Sequence, residues 1–259
     1  MDISKMSFSS IKEYVNSISE ENYKEIIPLL SADGRKNVKK LSEKLSNYLD
    51  GKSKELLRVK KLYDFDRNFN VNGCLAGVDE VGRGPLAGPI VAAAVILNLD
   101  VLDENLILEI NDSKKITAKK REELSKIIME KAICYNIELM EHNKIDIDGI
   151  GICNQAVLKN AAINLKIKPD FVVSDGYAIK NIGINNAFAI KGDSKSASIA
   201  CASIIAKVYR DNLMKKYAEE YPNYHFENNS GYGSKEHIEA IKKFGTCPIH
   251  RMSFLRNIL

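Results

Sequence analysis

Residues 89–97 read PIVAAAVIL, nine positions without a polar or charged side chain. A run of that length is too short to cross a bilayer, which needs about 20 apolar residues. It is the pattern of a strand buried on both faces of a sheet. Leu75–Val81 just before it is a second strand, and the short turn of Gly and Pro between them favours an antiparallel hairpin. A sheet built around such a strand must be covered on both sides, so the rest of the chain has to supply helices.

It does so in alternation. Asp112-Ser113-Lys114-Lys115 is a polar loop, and Thr117 caps a helix to about Ala132. Ile133–Met140 returns as a strand, 148–165 is helical, and Asp170–Ser174 and Ala187–Lys191 are strands ending at Asp175-Gly176 and Gly192-Asp193. A long helix follows over about Ser196–Ala218. Strands first, then αβαβα, predict an α/β domain with a mixed sheet flanked by helices.

Residues 1–72 predict a helical extension, with residues 73–259 forming the main domain and its C-terminal helical segment. Ser10-Ile11-Lys12-Glu13 fits a capping box, Asp33-Gly34 is a break, and Val38, Leu41, Leu45 and Leu49 line one face of a second, basic helix. The polar stretch 68–73 sets the boundary. Residues 35–61 carry ten Lys/Arg against three Asp/Glu, whereas 1–34 carry three Lys against six Asp/Glu. The asymmetry is compatible with a nucleic-acid footprint and, about equally, with a solvated helix face.

The five cysteines are scattered and never form a C-x-x-C pair. That speaks against a disulfide framework or zinc site, and for small buried hydrophobes in a reducing cytoplasm. The N-terminus shows no leader pattern, and no span of the sequence is apolar enough for a membrane. A monomer is the default expectation.

Four acidic residues share one context. Asp79, Glu80, Asp175 and Asp193 each stand where an apolar strand runs out, with glycine nearby. Ligands gather at strand ends in α/β architecture, and carboxylates arriving there from separate strands repel one another unless a cation meets them. Mg²⁺ or Mn²⁺, one ion or two, is the natural partner for hard oxygen ligands. Two such ions about 3.5–4 Å apart can activate a water and stabilise the leaving oxygen of a phosphoryl displacement. Neighbouring strand residues point to opposite faces, so Asp79 and Glu80 share a site only if the strand ends or twists there. Asp193 also competes as an N-cap for the long helix. Gly82 and Gly84 flank Arg83 in a loop where a ligand can approach the main chain closely. The combination suits a metal-dependent nuclease.

Gly77-Val78-Asp79-Glu80-Val81-Gly82-Arg83-Gly84-Pro85 with Ala87-Gly88-Pro89 resembles the signature of bacterial ribonuclease HII, the type 2 ribonuclease H family. Asp112-Ser113-Lys114-Lys115, Ser174-Asp175-Gly176 and Lys191-Gly192-Asp193-Ser194-Lys195-Ser196 resemble it too, as do Ala206-Lys207-Val208-Tyr209-Arg210-Asp211, Gly231-Tyr232-Gly233-Ser234-Lys235-Glu236-His237 and Pro248-Ile249-His250-Arg251. The motifs keep the family's order from residue 75 to about 256. Arg83-Gly84-Pro85 after the D-E-V-G is similar to this family rather than to the sister group ribonuclease HIII. Ser194, Cys201 and Gly245-Thr246-Cys247 depart from the usual pattern without touching an expected ligand.

The resemblance implies a ribonuclease H-like fold and hydrolysis on the 5′ side of ribonucleotides in RNA–DNA hybrids and in duplex DNA, leaving a 3′-hydroxyl and a 5′-phosphate. It implies that Asp79, Glu80, Asp175 and Asp193 are the metal-binding and catalytic carboxylates. It implies that the Gly82-Arg83-Gly84 backbone reads the ribose 2′-hydroxyl, the group that distinguishes RNA from DNA, and that Tyr232 packs on the neighbouring sugar. Lys114, Lys115 and Lys195 are assigned to phosphate, which positions a duplex without reading sequence. Ser194, Ser196 and Ser203 could assist, though capping and packing account for them equally. His237 and His250 read as structural, although either could help order the C-terminal segment near the substrate. The competing readings are a metal nuclease of the same fold acting on another nucleic-acid structure, and an inactive hybrid-binding module.

Overall fold

The computed structural model describes residues 3–256 and 258, so Met1 and Asp2, which open the segment inspected for a leader, lie outside the described residues. The chain divides into two compact units, Met1–Arg58 and Val59–Leu259.

In the first unit α1 (Phe8–Ser17) and α2 (Tyr23–Ser31) precede the start of α3 (Lys36–Arg67), a helix of 32 residues. Ile11, Val15, Ile26, Leu30, Val38 and Leu45 form its core. The cap of α1 is Ser7, whose Oγ accepts from the Ser10 amide at 3.1 Å, not the expected Ser10. Both serines satisfy the composition rule, and the helix begins at the earlier one, which brings Phe8 against the core. The expected break at Asp33-Gly34 is tied down by Arg35, which donates to Asp33 Oδ1 and to the Met6 carbonyl at 2.8 and 2.6 Å.

In the second unit, the elements are β1 (Leu75–Val81), β2 (Ile90–Ile96), α4 (Ala118–Lys131), β3 (Cys134–Met140), α5 (His142–Asp148), α6 (Ile150–Ile163), β4 (Phe171–Asp175), β5 (Asn185–Ala189), α7 (Ala197–Glu220), α8 (Phe226–Asn229) and α9 (Lys235–Phe244). The five strands form one mixed sheet in the order β3-β2-β1-β4-β5. β1–β2 and β2–β3 are antiparallel; β1–β4 and β4–β5 are parallel. The helix expected over 148–165 is α6, and a further helix the sequence did not predict, α5, precedes it and ends at Gly149, whose φ is 83°. The last strand begins and ends two residues early, because Asn185 pairs with Phe171 at the sheet edge, where polar side chains remain solvated.

The strand period assigns the two faces. Ala76, Val78, Ile90, Ala92, Ala94 and Ile96 pack on Val157, Leu158 and Ala161 of α6. Leu75 and Val173 pack on Ile199 of α7. Gly77 lets α7 come close, since a Cβ there would lie 2.2 Å from the Ser198 carbonyl carbon. Every residue of β2 is consequently buried. Asp66, at the end of α3, sits beneath α7 and accepts from the Ser198 amide at 2.8 Å; burial pushes its carboxyl up to about 6. Tyr63 is buried with its hydroxyl accepting from the Ile107 amide at 3.3 Å. Residues 59–67 thus pack with the sheet unit. Among the described residues no helix is long and apolar enough to cross a membrane.

Candidate active site

β1 and β4 run parallel, so their carboxyl ends open on the same side. Asp79, Glu80, Asp175 and Asp193 line one recess there of about 600 Å³, together with Gly82, Arg83, Gly84, Ser113, Lys114, Ser203, Lys207 and Tyr232. Asp79 continues the odd-numbered face toward α7, where the Ser203 hydroxyl bonds it. Glu80 continues the even-numbered face, where the Tyr177 hydroxyl donates to its Oε1 at 3.0 Å. The two side chains leave the sheet on opposite faces, as the strand period requires, and both reach the recess because the strand ends at Val81.

Asp175 is joined to the turn carrying Asp193 by a hydrogen bond of 2.6 Å from the Gly192 amide to its Oδ1. Asp193 does not cap the long helix; Ser196 does, accepting from the Ile199 amide at 3.1 Å. Ser194 closes the preceding turn by donating to the Lys191 carbonyl at 2.9 Å. Ser203 bonds Ser113 at 3.0 Å, which fixes the wall between Asp79 and the Asp112–Lys115 turn.

The electrostatics are those of acids short of counter-charge. Burial, then Glu80 and Asp175, push the Asp79 carboxyl well above the usual range. Burial raises Glu80 against the opposing help of Tyr177 and Arg83. Burial followed by Asp112 and Asp175 raises Asp193, with Lys114 and Lys115 opposing. Arg83 stands 3.6 Å from Glu80 and 5.3 Å from the centre of the Tyr177 ring, half exposed and too distant for a tight pair. Glu80 Oε2 is buried without a hydrogen-bond partner. Among the described residues no group of three or more His, Cys, Asp or Glu side chains stands in an arrangement that could hold a metal ion. The open acidic recess, its raised carboxyls and that orphaned oxygen nonetheless fit a divalent cation better than any side-chain cation present.

Of the residues expected to bind substrate, the recess gathers Gly82, Arg83, Gly84, Lys114 and Tyr232. Lys115 and Lys195 do not line it; Lys115 pairs with Asp112 at 3.7 Å. Nothing in the sequence pattern marks a role for Lys207, Tyr177, Arg210 or Arg251. The last two are buried arginines that hold the glycine loop by its carbonyls. Arg251 donates to Gly82, Arg83 and Gly88 at 2.7, 3.0 and 2.9 Å, and Arg210 to Ala87 and Pro89 at 3.2 and 2.9 Å. Burial lowers their guanidinium values to about 9 and about 10. Sequence alone gives no signal for this, since a buried arginine bonded to carbonyls has no charge partner to search for.

A model of the family described as Ribonuclease HII matches residues 76–257, and one described as Ribonuclease HII N-terminal domain matches 7–70. A ribonuclease HII of Clostridium acetobutylicum is 58% identical over 255 residues, covering 98% of this chain and all of that protein. One from Clostridium novyi is 57% identical, covering 100% of this chain and 99% of that one. The crystal structure of ribonuclease H2 from Pyrococcus horikoshii superposes with a TM-score of 0.61 at 27% identity, over 71% of this chain and 96% of that one. The mixed sheet with acidic strand ends and helices on both faces is thus the fold of a type 2 ribonuclease H. The chain belongs to the ribonuclease HII family of endonucleases.

Proposed function

We propose that this endonuclease hydrolyses the phosphodiester on the 5′ side of a ribonucleotide, in RNA–DNA hybrids and in DNA duplexes with embedded ribonucleotides, leaving a 3′-hydroxyl and a 5′-phosphate. The observation that carries the reading is the junction, in one recess, of four carboxylates with the Gly82–Gly84 loop and Tyr232. Hydrolysis needs the first group, and discrimination between ribose and deoxyribose needs the second. Every one of these residues comes from one chain, so a single copy suffices, and the setting that fits is the cytoplasm.

Asp79, Glu80, Asp175 and Asp193 would hold one or two Mg²⁺ or Mn²⁺ ions. When bound, such ions make water a stronger nucleophile and offset charge on the departing 3′-oxygen. The chain's own residues do the rest. Ser203 and the Glu80 amide orient Asp79, the latter bond being 2.7 Å to Oδ1. Tyr177 orients Glu80 and leaves Oε2 free to take a cation. Arg251 holds the carbonyls of Gly82 and Arg83, so the loop presents its main chain in a fixed pose to the 2′-hydroxyl. Lys114 lines the recess as a phosphate partner, as does Lys207 although Asp211 holds its ammonium at 2.6 Å, and Tyr232 offers its ring to the sugar.

Asp79→Asn and Asp175→Asn test the reading. Each abolishes cleavage while duplex affinity is kept, because phosphate contacts carry that affinity. Undiminished turnover in either variant would overturn the assignment of the carboxylates.

A further inference from the structure

Outside the carboxylate site, His237 and His250 form a buried pair, 0% and 2% exposed, with their Nε2 atoms 3.1 Å apart. Their other ring atoms fix the direction of the proton between them. The Tyr232 carbonyl, 2.8 Å from His237 Nδ1, can only accept, so His237 carries its proton on Nδ1. At His250 Nδ1 the Cys247 amide donates at 2.9 Å while the Cys247 carbonyl stands at 3.2 Å; the shorter contact makes that nitrogen an acceptor. With both rings neutral, His250 Nε2–H donates to His237 Nε2, and no other neutral arrangement satisfies all three bonds. Burial supports neutrality, lowering both rings, His250 to about 4. The aromatic walls are Tyr224 and Phe226, 5.0 and 5.3 Å from the centres of His250 and His237.

The chain of bonds runs Cys247 amide, His250, His237, Tyr232 carbonyl, and it ends on the residue whose ring lines the recess. The Cys247–Arg251 segment is also bound to the glycine loop, since Arg251 donates from its amide to Leu86 and Ile249 accepts from Gly88, at 2.8 and 2.9 Å. We propose that His237 and His250 are positioning residues that fix Tyr232 through its carbonyl, so that the tyrosine ring and the glycine loop keep one spacing across the ribose. The inference rests on Tyr232 being a substrate contact.

Two measurements on the full chain test it. Nitrogen chemical shifts of the imidazoles at pH 7 report the tautomers directly and need no substitution. The arrangement requires a neutral His237 protonated at Nδ1 and a neutral His250 protonated at Nε2. A charged ring, or the same tautomer in both, overturns it. The second is a double-mutant cycle of His237→Leu with Tyr232→Ala, read as kcat/KM on a duplex with one embedded ribonucleotide in Mn²⁺. His237→Leu alone lowers kcat/KM about tenfold, in line with the loss of one positioning hydrogen bond, and has no further effect once Tyr232 is Ala. His237→Asn, whose amide can reach the same carbonyl, restores most of the activity. If Tyr232→Ala is harmful and the His237 effect simply adds to it, the pair is only structural and the inference fails. If Tyr232→Ala is harmless, the substrate role of Tyr232 fails first and takes the inference with it.

Discussion

Two alanine substitutions two residues apart separate what the fold needs from what the substrate needs. At Gly82, φ is +93°, and a Cβ would stand 2.3 Å from Arg210 Nε and 2.8 Å from the Pro89 carbonyl oxygen. Neither neighbour can yield freely, since Arg210 Nε donates to that same oxygen at 2.9 Å. The left-handed backbone costs about 1–2 kcal/mol and the overpacking about 1–3 kcal/mol, so Gly82→Ala loses about 2–5 kcal/mol. For a chain of this size that lowers Tm by about 4–20 °C. At Gly84 the nearest atom to an added Cβ is Tyr232 Cε1 at 3.9 Å, an ordinary contact. Gly84→Ala therefore leaves stability within about 1 kcal/mol of the parent. If the main chain at Gly84 meets the sugar, the methyl group displaces it, and kcat/KM on a single embedded ribonucleotide falls about a hundredfold. The assays are thermal unfolding and single-site cleavage on the same preparations. Full cleavage by a normally folded Gly84→Ala protein would refute the claim that this backbone reads the ribose.

Other consequences are equally specific. Arg251→Met strands the carbonyls of Gly82, Arg83 and Gly88 and costs about 3–6 kcal/mol of stability, measured by denaturant unfolding; Arg251→Lys recovers only part, lacking the planar fork. Because the folded value of His250 is depressed to about 4, its contribution to stability is present above the unfolded value of about 6.5 and is lost as pH falls toward 4. The advantage of the parent over His250→Gln in urea midpoint should accordingly shrink between pH 7 and pH 4.5, and a constant difference would contradict the buried neutral ring. Removing residues 1–58 leaves Asp66 and Tyr63 in place beneath the sheet unit. If the basic stretch binds duplex, that deletion weakens binding and flattens its salt dependence; an unchanged slope would show a solvated face.

The parts of the fold that were legible are those set by local pattern. β1, β2, β3 and the Thr117 cap stand within one residue of expectation, because an unbroken apolar run bounded by turn residues has one reading. The carboxylates were legible because acids at apolar strand ends are costly without a purpose. What stayed hidden depends on contacts between distant residues. The rank of Ser7 over Ser10 is decided by core packing, and the early start of β5 by an edge pairing with Phe171. Lys195 has the same composition cue as Lys114, yet only Lys114 faces the recess. The role of Arg251 shows only when residues 82–88 are seen within its reach, more than 160 positions away.

The most direct test of ribonucleotide-directed cleavage uses an end-labelled DNA duplex with one embedded ribonucleotide, beside an all-DNA duplex of the same sequence. Each is incubated with the protein in Mn²⁺, Mg²⁺ or EDTA. The expected result is one cut, immediately 5′ to the ribonucleotide, with either metal, none in EDTA, and an intact DNA control. Cutting of the control, or binding without cutting under every metal, would contradict it.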